Sequence, residues 1–522
     1  MRQVMKSIAR SCAALATLLF LAHCSNDYGT TTGTAATDPA DGGGPPGAVD
    51  AESPEVGAPV PVPGPPKKAN VIFILADDFT WNLVQYMPNL LQMQKDGVTF
   101  ANYFVTDSLC CPSRTSILTG MYPHDSGVFT NGGTDGGYAT FLAKGNEAKT
   151  FANALSSSGY RTALMGKYLN GYDPLTPAVP NGWTEWAGAG NGYKNFNYDL
   201  NESGTVHHYG SADTDYLTDV VAGLGATFVT KDPSKPFLLE IATFTPHAPY
   251  IPAPRDANAF PGLTIPRTPP YGARPTATDP AWLQAIPALT PKEKSTMDGS
   301  FRMRAQAVQA IDKMIGSLRA AVAKAGQADN TYFVFSSDNG YHMGEHSLRP
   351  GKQTAFDTDI HVPLIVIGPG VPAGKTRDEI VQNIDLCSTF AELGQTAPPP
   401  TQTGRSLVPL IHGQTVADFR NVALVEHHGA NFDPTDPDLP EADSGAPPTY
   451  EALRMKSSVY VEYTGGEIEY HAHATDPYEL NNTAASLTAP QKAALHGTLM
   501  ALKGCHDATS CWAAQHLLPN AP

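Results

Sequence analysis

The chain has 522 residues, room for one large domain with a smaller one beside it, which excludes a peptide hormone or a single small binding module. Hydrophobic residues make up 41% and charged residues 16%, a globular composition. Gly and Pro together reach roughly 18%, against a usual value near 12%, which points to long loops or a linker. With 34 Lys and Arg against 50 Asp and Glu, the formal net charge is −16. That balance excludes broad binding to nucleic acid or another polyanion, though not a small anion held by a few local cations.

The first predicted element is an export signal. Arg2, Lys6 and Arg10 form a basic start, and Ala13 to Ala22 is an apolar run too short to span a membrane. Leu21-Ala22-His23-Cys24 resembles the lipobox of bacterial lipoproteins, which implies membrane attachment through a lipidated Cys24. His23 departs from that pattern, where a small residue is usual, and ordinary cleavage with secretion is the alternative. Residues 1–23 are therefore read as a signal peptide. Residues 24–68, rich in Gly, Pro and Ala, cannot bury a core and are read as a disordered tether. The expected location is the cell envelope, as an outer-membrane or periplasmic lipoprotein, or the medium.

Folded sequence begins near Asn70. Val71 to Ala76 is a continuous apolar run suited to a strand buried on both faces, and it ends in Asp77-Asp78. Two adjacent carboxylates there repel each other unless a hard cation lies between them; a helix cap is the plainer alternative. Leu238 to Ala242 is a further strand, leading into Thr245-Pro246-His247-Ala248-Pro249. Residues 249 to 298 read as a Pro-rich insertion that loops over the site. Val308, Ile311, Ile315, Leu318 and Val322 form the apolar stripe of a helix. Thr331 to Ser337 repeats the buried-strand design and ends in Asp338-Asn339-Gly340, and Leu364 to Ile367 is one more strand. Two such strands bring four oxygen donors to one carboxyl edge, where open α/β sheets place their sites. Cys387 reads as a small core residue in a helix, and Cys505 with Cys511 as a disulfide in an exported chain. The adjacent pair Cys110-Cys111 is too strained to bond to itself.

That pair opens Cys110-Cys111-Pro112-Ser113-Arg114, followed by Thr119-Gly120. Here the sequence resembles the type I sulfatases, in the alkaline phosphatase superfamily, whose signature is C-x-P-S-R with a later Thr-Gly. Further segments agree: Gly159-Tyr160-Arg161-Thr162-Ala163 through Gly166-Lys167-Tyr168-Leu169-Asn170, and Asp476-Pro477-Tyr478-Glu479 near the C-terminus. The variant Gly-Lys-Tyr-Leu-Asn, the doubled Cys and the short C-terminal Cys loop resemble the branch of N-acetylglucosamine-6-sulfatases and heparan 6-O-endosulfatases. Many sulfatases carry a His in the second signature. Here it is missing, and Asn170 can replace a hydrogen bond but not a base.

The resemblance implies a large mixed β-sheet sandwiched between helices over residues 69–410, and a smaller C-terminal α+β domain over 411–522. It implies that a formylglycine-generating enzyme converts Cys110 to formylglycine, and that Asp77, Asp78, Asp338 and Asn339, with residue 110, hold one calcium ion. One hydroxyl of the hydrated aldehyde attacks sulfur and the other later expels sulfate. Arg114 orients the hydrate; Lys167, His247 and Lys352 neutralise the sulfate oxygens, and His247 or Lys352 protonates the leaving alcohol. His124, His342, Glu345 and His346 stand beside the motifs and are left outside the site. The substrate class implied is a sulfate monoester, on a sulfated sugar or an aryl group. A phosphonate or phosphate diester hydrolase of the same superfamily is one alternative, and a surface lipoprotein that binds sulfated glycans without turnover is another. The acidic chain lacks the long basic segment of the endosulfatases, which favours action on chain ends.

Overall fold

In a computed structural model, which describes residues 67–429, 436, 439–440 and 443–522, β1 (Asn70–Ala76) is a fully buried strand. The signal and nearly all of the tether read from the sequence lie outside the described residues. Along β1 the side chains alternate: Val71, Phe73 and Leu75 pack into one core cluster, Ile72, Ile74 and Ala76 into another. A strand covered on both faces favours apolar residues, and from Val71 to Ala76 the sequence is unbroken by a polar one.

Nine more strands join it: β2 (Val98–Phe104), β3 (Arg161–Lys167), β4 (Glu185–Ala189), β5 (Tyr198–Glu202), β6 (Thr205–Tyr209), β7 (Phe237–Ala242), β8 (Thr331–Ser337), β9 (Leu364–Ile367) and β10 (Lys375–Gln382). Their order is β10-β2-β9-β8-β1-β7-β3-β4-β5-β6. The middle four, β8, β1, β7 and β3, are mutually parallel, while β9 and the β5–β6 hairpin run antiparallel to their neighbours. On one face lie α1 (Cys110–Thr119) and α4 (Asp385–Leu393); on the other lie α2 (Leu217–Lys231) and α3 (Pro291–Lys324). This is the large mixed sheet between helices expected from the sequence.

A second, antiparallel sheet follows, of strands β11 (Val422–His427), β12 (Tyr450–Met455), β13 (Ser458–Tyr463) and β14 (Ile468–Ala472). Helix α5 (Ala489–Lys503) packs on it, and α6 (Ala508–Ala514) holds Cys511, bonded to Cys505. The small sheet braces the segment before α1, with the Glu426 amide donating to the Thr106 carbonyl at 2.8 Å. It also braces the loop after β8, where the Tyr450 hydroxyl donates to the Gln353 carbonyl at 3.1 Å. Cys387 is buried in α4.

The insertion differs from its expected form. Pro291 occupies the first turn of α3, and Thr290 and Glu293 make a reciprocal cap, so residues 291–298 are helix rather than loop. Pro266, Thr268 and Pro270 line a cleft with Thr80, Trp81 and Tyr341, and Tyr250 lines the neighbouring cavity, which shares Tyr341 and holds Asp78.

Candidate active site

Four adjacent parallel strands end at the same edge, so whatever follows each of them is delivered to one place. Register pairs Ala76 with Ser337, which sets Asp77 beside Asp338; the Asp338 amide donates to the Ala76 carbonyl at 3.1 Å. Asp78 stands in the left-handed region at φ 59°, an unfavourable conformation for a non-glycine residue and one that turns its carboxylate into the site. Lys167 is the last residue of β3. Before it, Gly166 has φ 106°, and a Cβ there would collide with the Ala242 carbonyl of β7, so only glycine allows the close approach. His247 follows β7 by five residues. Cys110 is the first residue of α1, whose end at Gly120 takes the left-handed cap.

All nine residues singled out from the sequence meet there: Asp77, Asp78, Cys110, Arg114, Lys167, His247, Asp338, Asn339 and Lys352. None is more than 4% exposed. Lys352 Nζ donates to Asp78 Oδ1 at 2.7 Å and to Cys110 Sγ at 2.9 Å. Lys167 Nζ donates to Asp77 Oδ2 at 2.7 Å, and Cys110 Sγ lies 3.3 Å from Asp77 Oδ1. Arg114 Nε donates to Asp338 Oδ2 at 2.8 Å and its Nη1 to the Lys167 carbonyl at 3.1 Å. Arg114 thus fastens Asp338, while its Nη2 lies 3.9 Å from Asp77 Oδ1. His247 Nδ1 donates to the Ala248 carbonyl at 2.7 Å, which directs Nε2 toward Asp78 Oδ2, 3.6 Å away.

Electrostatics divide the acids. Burial holds Asp77 above the usual carboxylate range against the pull of Lys167, and the neighbouring Asp338 adds to the rise. Asp338 is as deeply buried, yet Arg114, Lys167 and Lys352 outweigh that and hold it below the range. Lys167 stays charged, because Asp77 and Cys110 overcome its desolvation. Asp78 Oδ2 and Asn339 Oδ1 are buried without a hydrogen-bond donor. Orphaned oxygens among these carboxylates and the amide fit a hard cation, while Asp338, held by Arg114, stands outside the tightest set of ligand atoms. Ligand atoms of Asp77, Asp78, Cys110 and His247 all lie within 4.8 Å of one another.

Sequence reasoning missed several contributors. Arg304, on α3, is fully buried, donates to the Asp78 carbonyl and lies 4.5 Å over the Tyr341 ring. Its signal was an arginine four residues before Val308, in line with the apolar stripe. Ser113 Oγ donates to the Asp338 carbonyl and receives the Asn383 amide at 3.0 Å. Tyr193 lies 5.0 Å from Lys167 Nζ and 4.7 Å from the His247 ring, and no sequence pattern marked it. Of the residues left outside the site, His342 bonds to Asp359 and the Ser444 carbonyl, and His124 to Glu426 and the Cys505 carbonyl.

Two cavities flank the cluster. One of about 680 Å³ is lined by Lys167, Asn170, Tyr172, Tyr193 and Asp199; the other, about 320 Å³, by Asp78, His247, Tyr250, Tyr341 and Lys352.

The family model named Sulfatase matches residues 69–396, from the strand that carries the first acidic pair to the helix that carries Cys387. The chain belongs to the sulfatase family. It is 33% identical over 475 residues to the N-acetylglucosamine-6-sulfatase of Capra hircus, covering 85% of each chain. The human N-acetylglucosamine-6-sulfatase is 32% identical, over 85% of this chain and 86% of that one. Among solved structures, a protein in complex with its substrate D-glucosamine-2-N,6-O-disulfate aligns with a TM-score of 0.67 and 23% identity, over 83% of this chain and 97% of that one. This sulfatase is thus a sulfuric ester hydrolase with the alkaline phosphatase-like fold. Among the described residues no helix is long and apolar enough to cross a membrane.

Proposed function

We propose that this sulfatase hydrolyses the sulfate monoester of a sulfated sugar of the N-acetylglucosamine 6-sulfate class, releasing sulfate, using a formylglycine made from Cys110 and a calcium ion held by Asp77, Asp78, Asp338 and Asn339. The observation that carries the reading is the buried convergence of these residues on position 110, in a chain one-third identical to enzymes named for that substrate. Once bound, the ion would polarise the sulfate, and the hydrated aldehyde at 110 would supply one hydroxyl to attack sulfur and another to expel sulfate.

The chain's own residues do the rest. Lys167 and Lys352 approach Asp77 and Asp78 from either side and neutralise sulfate oxygens as charge grows on them. Arg114 keeps Asp338 ionised and oriented. His247, its tautomer fixed by the Ala248 carbonyl, is the proton donor to the leaving oxygen when protonated at Nε2. The catalytic domain is assigned to residues 69–410 and the smaller one to 411–522. Export with lipidation at Cys24, a tether over residues 24–68, and maturation by a formylglycine-generating enzyme complete the proposal.

The test is sulfate release from N-acetylglucosamine 6-sulfate, 4-nitrophenyl sulfate and an aryl phosphonate ester, with mass spectrometry of the peptide holding residue 110. An aldehyde at 110 and the highest kcat/KM on the sugar sulfate are expected. A thiol at 110 in fully active enzyme, or preference for the phosphonate, would overturn the reading.

A further inference from the structure

Asn170 is 7% exposed, and neither its carboxamide oxygen nor its nitrogen has a hydrogen-bond partner among the described residues. The Asn170 carbonyl accepts the Tyr138 amide at 2.8 Å, which ties the backbone here to the start of the segment after Gly137. An amide buried with both ends unpaired is costly, so such groups call for a partner that the free protein does not supply. Asn170 is among the residues that line the larger cavity, with Lys167 and Tyr193. Tyr193 in turn lies 4.7 Å from the His247 ring, so this cavity runs up to the catalytic cluster. Its volume of about 680 Å³ is within the range of small-ligand sites.

We infer that Asn170 is a specificity-determining residue that binds the leaving sugar. With the sulfate held beside Lys167, the sugar ring occupies this cavity, and the carboxamide pairs with a donor and an acceptor on the ring, such as a hydroxyl and an N-acyl group. An aromatic leaving group has neither, so the residue separates sugar sulfates from aryl sulfates. The inference rests on the sugar-sulfatase reading and adds to it which residue selects the sugar. A site built around a hydrogen bond penalises a ligand that lacks it, because the protein group is then left unpaired.

The experiment compares wild type, Asn170→Leu and Asn170→Asp on N-acetylglucosamine 6-sulfate and 4-nitrophenyl sulfate. Asn170→Leu, close in shape, is expected to lower kcat/KM on the sugar sulfate 10- to 100-fold, chiefly through KM. The same variant should stay within threefold of wild type on the aryl sulfate. Asn170→Asp, which keeps the acceptor, should recover part of the loss. In a Cys110→Ala background, calorimetry should show the sugar sulfate binding at least tenfold more weakly once Asn170 is Leu. Equal loss on both substrates would place Asn170 at the reacting group, and no loss on either would make it a wall residue solvated by water; each overturns the proposal while wild-type turnover of the sugar upholds the sugar reading. Wild-type turnover of the aryl sulfate alone would overturn both.

Discussion

The ammonium of Lys352 lies 2.9 Å from the sulfur of Cys110 and 2.7 Å from Asp78 Oδ1, so one cation touches both the modified position and the acidic pair. The two residues are 242 positions apart, and only the loop after β8, braced by the small sheet, brings them together. Cys110→Ala should therefore abolish sulfate release while leaving the fold and melting temperature nearly unchanged. Cys111→Ala removes one small buried group and should keep activity within a few-fold, at a stability cost of about 1 kcal/mol. Kinetics and thermal melts of both proteins check the contrast. Surviving turnover in Cys110→Ala would refute the role of position 110.

Asp338→Asn keeps the shape of the side chain and removes its charge. Arg114 then loses its buried partner, which costs about 3–5 kcal/mol where no new pairing forms. The expected result is at least a hundredfold fall in kcat and loss of the calcium-dependent rise in melting temperature. A variant that still responds to calcium like the wild type would remove Asp338 from the ion site.

Arg304 holds the Asp78 carbonyl while Asp78 sits in its left-handed conformation. Arg304→Met preserves bulk and deletes that bond, a charge-assisted one worth about 1.5–3 kcal/mol. Weaker calcium binding by calorimetry, with kcat/KM reduced 10- to 100-fold and a folded protein by circular dichroism, is expected. Unchanged calcium affinity would show that Asp78 holds its conformation without help.

His124 gives a pH signature away from the active site. Burial pulls its pKa down, but the hydrogen bond and charge of Glu426, together with Asp125, outweigh it and push the group up to about 9. A histidine raised in the folded state contributes stability that is complete below its unfolded value of 6.5 and is lost as pH rises through the folded value. Wild type should lose up to ~3 kcal/mol between about pH 6.5 and 9 from this group, a loss missing in His124→Gln. Parallel melting profiles for the two proteins over that window would contradict a charged His124.

The bond between Cys505 and Cys511 closes a loop with a sequence separation of 6 and a Cα–Cα distance of 4.9 Å. The chain-entropy model gives about 2 kcal/mol for a loop this short. Replacing both by Ser should lower stability by that amount and leave kcat unchanged, because the loop packs against α5 and the small sheet rather than the acidic cluster. A folded double variant with collapsed kcat would tie the loop to catalysis.

The sequence by itself determined the central strands and most of the charged cluster. A parallel strand buried on both faces is largely apolar, so β1 and β8 stood out, and Asp77-Asp78 and Asp338-Asn339, which follow them, fall at the sheet edge. The motif around Cys110 added the nucleophile position and its cations. The tertiary structure alone decided that β8, β1, β7 and β3 are neighbours, since strand order depends on long-range pairing that no local pattern encodes. It alone decided that Arg304 and Tyr193 belong to the site, because each lies in a sequence that reads as ordinary helix or loop and reaches the cluster through folding. The same holds for Asn170: its residue type was visible as a departure from the family pattern, but its burial at the larger cavity without a side-chain partner among the described residues is a property of packing.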